Sequence, residues 1–94
     1  MEMAEAAGLA VRRVRLQHGS SQAELAWQAD LDRTYISGVE RGVRNPSLAS
    51  LVRIAEALDV RLSRLVTIAE QIQSGQVKVS TTARLERRPV QSRT

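Results

Sequence analysis

The chain has 94 residues, a net charge of +4 at neutral pH, no cysteine and one histidine. Its length corresponds to one small domain, and the missing cysteines exclude a disulfide framework and a thiolate metal site. No apolar run approaches the roughly 20 residues of a membrane-spanning helix, and the acidic N-terminus is unlike a signal peptide, so we expect a cytoplasmic protein.

The first predicted helix covers residues from about Ala4 to His18. Acidic residues at its start and arginines near its end match the helix dipole. Gly19 ends it, because glycine readily adopts the left-handed conformation that follows a last helical turn. Apolar residues recur at helical spacing, and we expect these to be buried: Ala7, Ala10, Val11 and Val14.

The second predicted helix begins after Ser21 and runs to about Ala29. Ser21 and Glu24 form a capping box, in which each side chain accepts a hydrogen bond from the other residue's backbone N–H. Its buried side consists of Leu25, Ala26 and Ala29. Trp27 projects from another side, either as a half-buried surface residue or as a contact for phosphate or a partner. We expect the half-buried position.

A short turn leads into the third predicted helix, at about residues 33–41. Asp32 is a typical N-cap residue, and Asp30 tolerates the left-handed conformation that such a turn needs. Two short helices joined in this way form a helix-turn-helix. Ile36 and Val39 supply only a thin apolar stripe, so the rest of the chain must hold this helix in place.

The other side of the third helix carries side chains that can donate hydrogen bonds to base edges or to phosphates. They are Arg33, Thr34, Ser37 and Arg41. Gly42 suits the left-handed residue just past the helix end. Free backbone N–H groups at helix N-termini attract anions, so phosphates are expected near the starts of helices 2 and 3. The pattern indicates a helix that reads DNA.

Two further helices are predicted after a loop that ends at Pro46. Ser47 caps the fourth helix, which keeps helical period over residues 48–58. The fifth helix, at about residues 61–74, has apolar residues over an arc of roughly 160°, wider than the roughly 100° of a core-facing helix. We expect one part of this arc to face the core: Leu62, Val66 and Ala69.

The remaining apolar stripe of the fifth helix is expected to be exposed. It consists of Leu65, Ile68 and Ile72. An exposed aliphatic stripe on a small protein usually marks an interface. We therefore predict a homodimer through this stripe, with burial under a folded-back C-terminal segment as the alternative.

The composition changes after residue 75. Residues 76–94 have a net charge of +4, whereas residues 1–75 are neutral overall. We therefore divide the chain into a globular domain, 1–75, and a basic C-terminal tail, 76–94. Residues 76–82 alternate as in a short strand, and the rest of the tail is predicted to be disordered. Such an arm either binds phosphate non-specifically or is merely solvated.

Residues from about 8 to 66 resemble the phage-repressor-like helix-turn-helix family, also called the Xre family. The matching segments are Arg15, Gly19, Ser21–Ala26, Leu31, Ile36–Ser37, Val39–Gly42, Asn45–Leu48 and Ile54–Leu58. Within this family, residues 32–38 with Arg41, Arg44 and Asn45 look most like the controller proteins of restriction–modification systems, which are small dimeric regulators. The resemblance implies an all-α, five-helix bundle of the phage-repressor helix-turn-helix type.

The resemblance also implies roles for single residues. Arg15 and Glu40 match an internal salt bridge, and Gln22 matches a residue that contacts phosphate and braces the reading helix. Many relatives carry a base-reading side chain where this chain has Gly38, and our hypothesis is that glycine lets the helix approach DNA closely. Base-reading positions are matched by Arg33, Thr34 and Ser37, and backbone-contacting positions by Tyr35, Arg44 and Asn45.

These observations favour a transcription regulator that binds a palindromic operator in double-stranded DNA as a homodimer, with helix 3 in the major groove. The alternative is an antitoxin-like protein whose tail engages another protein, with DNA binding secondary. In either case the tail leaves room for a contact with RNA polymerase or another protein. No set of residues has catalytic spacing and no glycine loop could hold a phosphate, so we expect no enzyme, cofactor or metal.

Overall fold

The computed structural model describes residues 1–75, and the predictions for the tail, residues 76–94, lie outside this range. The described part contains five helices and no strand, so the predicted all-α fold is confirmed. None of these helices is long and apolar enough to cross a membrane. Their bounds, each within about one residue of the prediction, are α1 Met3–His18, α2 Gln22–Ala29, α3 Arg33–Glu40, α4 Leu48–Ala57 and α5 Leu62–Gln73.

The helix ends follow from local sequence. Ser21, Asp32 and Ser47 each accept a hydrogen bond from a backbone N–H in the first turn of the following helix, which satisfies donors that would otherwise have no partner. After α2, Asp30 has the predicted left-handed backbone, with φ 58°. This residue reverses the chain so that α3 can pack against α2.

The core is aliphatic, and α1 packs against both α5 and α3. The largest fully buried side chains of the core are Val11, Leu25, Ile36, Val39, Ile54 and Leu58. The predicted burial of Ala10, Val11 and Val14 is confirmed. Ala7 is only half-buried, and Ala6 is fully buried in its place. The inner face of α1 is therefore rotated slightly from the predicted one.

Gly8 is the point at which α1 touches the backbone of α3. A Cβ atom at this position would lie 1.9 Å from the carbonyl oxygen of Val39 and 3.3 Å from the Cα of Glu40. The two helices can approach this closely only because residue 8 has no side chain. The contact determines where the C-terminal half of α3 lies relative to the core.

The expected exposed stripe on α5 is wrong. Leu65, Ile68 and Ile72 are only 2%, 8% and 6% exposed, whereas Val66, which was expected in the core, is 40% exposed. The buried set, completed by Ala69, has i, i+3, i+4, i+7 spacing and packs on α1 and α4. A wide apolar arc does not show which part of it faces the core. The three side chains on which the predicted dimer interface relied are buried.

Trp27 is 82% exposed, so the expectation of a half-buried position is also wrong. The core-facing side chains of α2, Leu25, Ala26 and Ala29, all lie on one side of the helix. With about 100° per residue, Trp27 points almost directly away from that side.

Candidate nucleic-acid interface

The second and third helices form the predicted helix-turn-helix, and α3 separates an inner from an outer side. Ile36 and Val39 are completely buried and hold α3 to the core. The outer side carries Arg33, Thr34 and Ser37, and the row continues to Arg41, which follows the helix with a helical backbone; the four fall within an arc of about 100°. Three of them are exposed and Ser37 is half-buried. A row of hydrogen-bonding side chains on a rigidly held helix suits insertion into a DNA groove.

Asp32 orders the first turn of α3. Its carboxylate accepts hydrogen bonds from the Thr34 backbone N–H at 3.0 Å and from the Thr34 hydroxyl at 2.8 Å. These bonds, with a smaller contribution from the charge of Arg44, hold the pKa of Asp32 below its usual value, so the cap is ionised at neutral pH. Because the Thr34 hydroxyl donates its proton to Asp32, its methyl group and its oxygen lone pairs remain for a base.

Tyr35 connects α3 to the start of α4. Its hydroxyl donates to Ser50 Oγ at 3.1 Å and accepts from the Ser47 backbone N–H at 3.3 Å. The guanidinium carbon of Arg44 lies 5.1 Å from the centre of the tyrosine ring, within the range of a cation–π interaction. The sequence indicated Tyr35 as a backbone-contacting residue, but Ser50 as its partner carried no recognisable signal.

Gly38 lies under the side chain of Arg44. A Cβ at residue 38 would be 2.4 Å from Arg44 Cγ, and the glycine is buried in the C-terminal half of α3. The structure therefore shows close packing of Gly38 with Arg44, instead of an open surface where DNA would approach. Asn45, the next residue of the loop, is exposed.

Buried charges fix the C-terminal end of α3. Arg15 Nε and Nη2 donate to the two carboxylate oxygens of Glu40 at 2.6 and 2.9 Å, and Arg15 Nη1 donates to the Ser20 carbonyl at 2.9 Å. The Gln22 amide also donates to Glu40, at 3.0 Å. The implied internal salt bridge is thus confirmed, and Gln22 braces α3 as the resemblance suggested.

Taken together, a polar α3 held by capped, buried and charge-paired contacts defines a helix-turn-helix of the DNA-binding kind. The helix-turn-helix family model HTH_3 matches residues 11–65, which is more than half of the chain. The protein belongs to this family, whose Xre-type members are DNA-binding transcriptional regulators.

Controller proteins are prominent among its relatives. The control protein C.BamHI of Bacillus amyloliquefaciens is 49% identical over 55 residues, covering 57% of this chain and 68% of its own. The control protein C.SmaI of Serratia marcescens is 39% identical over 67 residues, covering 71% and 80%. The predicted resemblance to controller proteins is therefore confirmed.

Solved structures give the same result. The restriction–modification controller protein C.AhdI from Aeromonas hydrophila has a TM-score of 0.63 and 43% identity, covering 65% of this chain and 92% of its own. The wild-type controller protein C.Esp1396I has a TM-score of 0.69 and 32% identity, covering 78% and 97%. The fold around α3 is thus that of restriction–modification controller proteins.

Proposed function

We propose that the protein is a sequence-specific transcription regulator that binds a palindromic operator as a homodimer, with α3 in the major groove. The observation that carries this proposal is the outer side of α3, where Arg33, Thr34, Ser37 and Arg41 lie within about 100° on a helix whose inner side is buried. A two-fold dimer presents two such helices and therefore requires a two-fold related pair of half-sites.

The roles proposed for single residues follow from their chemistry. Arg33, in the first turn of α3, can donate two hydrogen bonds to guanine O6 and N7, and Thr34 can place its methyl group against thymine. Phosphates lie near the N-termini of α2 and α3, where backbone N–H groups and helix dipoles favour anions. The proposed contacts with the DNA backbone come from Gln22, Tyr35, Arg44 and Asn45.

In this proposal the unit that reads DNA is residues 1–75. The basic residues of segment 76–94, which carry a net charge of +4, add attraction to phosphate that does not depend on base sequence. Their contribution to affinity should therefore fall as the salt concentration rises.

Selection of binding sites from random duplex DNA tests the proposal. We expect the wild-type chain to enrich one palindrome, with half-site centres about 10 bp or a multiple of it apart. Arg33→Ala should weaken binding to that site by about 1–3 kcal/mol, roughly 5- to 150-fold, and relax one base position in each half-site. The charge-matched control is Arg64→Ala on α5, away from α3. Selection with this variant should enrich the same palindrome as selection with the wild type. Enrichment of no palindrome, or equal losses at all sequences for Arg33→Ala, would contradict the proposal.

The pairing surface is proposed to involve apolar side chains that α4 and α5 leave exposed. Val52 and Val66 are 37% and 40% exposed, and α5 packs mainly on α1 and α4, which leaves α3 accessible to DNA. In a two-fold interface the same residue of both subunits is buried. A charged side chain in the centre of such an interface is strongly unfavourable.

We therefore expect Val66→Glu to weaken the dimer by about 100-fold or more, because it replaces the burial of two valines with two desolvated carboxylates. Sedimentation equilibrium measures this change directly. The matched control, Leu16→Glu, places the same charge at an apolar residue of α1 that is 55% exposed, and it should leave the dimer intact. A dimer of unchanged strength in Val66→Glu would rule out this surface.

A further inference from the structure

Arg44 makes contacts along its whole length, although it is exposed. Its backbone N–H and that of Val43 donate to the carbonyl oxygen of Gly38 at 3.1 and 2.9 Å. The left-handed Gly42, with φ 80°, turns the chain back so that these bonds can form. The loop after α3 is therefore hydrogen-bonded to the C-terminal half of α3 itself.

The aliphatic part of Arg44 crosses α3 at Gly38. A Cβ atom on residue 38 would lie 2.4 Å from Arg44 Cγ, 3.3 Å from its Cβ and 3.6 Å from its Cδ. Three consecutive carbons thus occupy the space that any other residue type would fill. The packing of these carbons is possible only with glycine at position 38.

The guanidinium group of Arg44 is held at the far end by Tyr35. Its carbon lies 5.1 Å from the ring centre, and the ring is itself fixed by hydrogen bonds to Ser50 and Ser47. A planar guanidinium stacks well on an aromatic face. Contacts within the protein thus restrain Arg44 before any DNA is bound. They involve its backbone, its aliphatic carbons and its charged group.

We propose that Gly38 is a positioning residue: it holds Arg44 against α3 so that the guanidinium is pre-organised beside the outer side of α3 as a DNA contact. The inference rests on the proposed DNA-binding function and adds a role for a residue with no side chain. Glycine is a poor helix former, so its place in the reading helix needs a reason. Pre-organisation supplies one, because ordering a long side chain on binding weakens affinity.

The Gly38→Ala variant tests this role without unfolding the protein. The new methyl group meets side-chain carbons of Arg44 and no backbone atom, and because Arg44 is exposed, a change of rotamer about its Cα–Cβ bond can move the side chain off α3. Alanine also favours the helix. We therefore expect Gly38→Ala to stay folded, with a melting temperature close to that of the wild type, because the gain in helix propensity offsets the lost contacts of Arg44. We also expect operator affinity about three- to tenfold weaker, which is the cost of immobilising one long side chain on binding.

A double-mutant cycle in the full chain separates positioning from other effects. Arg44→Ala should weaken binding about ten- to a hundredfold, and adding Gly38→Ala to it should cause no further loss. Fluorescence anisotropy measures the affinity of the wild type and the three variants for the selected operator and for a scrambled duplex. Equal losses from Gly38→Ala with and without Arg44 would overturn the proposal, as would an unchanged affinity in Gly38→Ala.

NMR of the free protein provides a measurement that needs no DNA. The Tyr35 ring should shift the resonance of the Arg44 Nε–H group, and Gly38→Ala should move this resonance to its random-coil position. If the resonance is already at that position in the wild type, Gly38 does not position Arg44 and the inference fails. If the wild type shows the shift but binds operator and scrambled duplex equally, the proposed function fails while the packing of Arg44 stands.

Discussion

Replacing Gly8 with alanine should destabilise the protein severely. The added Cβ would lie 1.9 Å from the backbone carbonyl oxygen of Val39, and a backbone atom has no alternative rotamer to adopt. Helices α1 and α3 would have to separate, which costs about 3 kcal/mol in a packed core, despite the gain of about 1 kcal/mol from alanine's helix propensity. Thermal unfolding should show a melting temperature lower by about 12 °C or more.

Gly38→Ala is the matched control for this experiment. Gly8 and Gly38 are both buried glycines within helices, and both have too little space for a Cβ. The difference is the neighbour: it is the backbone of α3 at Gly8, and the side chain of an exposed arginine, which can change rotamer, at Gly38. If Gly8→Ala melts at the temperature of the wild type, or no lower than Gly38→Ala, the close contact between α1 and α3 does not exist in solution.

The local signals in the sequence were sufficient for the helices and for the outer side of α3. Caps such as Ser21, Asp32 and Ser47 act over three or four residues, so their hydrogen bonds can be read from the chain itself. The row from Arg33 to Arg41 depends only on the geometry of one helix. The salt bridge of Arg15 with Glu40 joins residues 25 positions apart, and it was predicted only because the pattern resembles a known family.

Features that depend on how helices meet were missed. The apolar arc of α5 is wide enough to be divided in two ways, and only the packing on α1 shows that Leu65, Ile68 and Ile72 are the buried part. The contact at Gly8 was not predicted, because a lone glycine within a helical pattern does not show which backbone lies beside it. The packing of Arg44 over Gly38 requires the loop conformation set by Gly42, which spacing alone does not provide.

Replacing Glu40 is expected to be as damaging as the Gly8 substitution, for an electrostatic reason. Arg15 and Glu40 are only 7% and 5% exposed, so Glu40→Gln leaves a buried guanidinium without its counter-charge. Breaking a buried pair in this way costs about 3–5 kcal/mol, a large fraction of the stability of a small domain. Urea unfolding should show a midpoint at lower urea concentration. The slope of the unfolding free energy against urea should be unchanged, as for a loss of stability without a change of fold.

The control variants distinguish lost charge pairing from lost packing. Gln22→Ala removes only the neutral amide that donates to Glu40 and should cost about 1 kcal/mol. The double variant Arg15→Met with Glu40→Leu replaces the pair with apolar side chains and should be more stable than Glu40→Gln alone, because no unpaired charge stays buried. If the loss of stability in the double variant equals the sum of the losses measured for Arg15→Met and Glu40→Leu alone, the two side chains are not coupled. The position of α3 would then depend on packing at Gly8 and not on this ion pair.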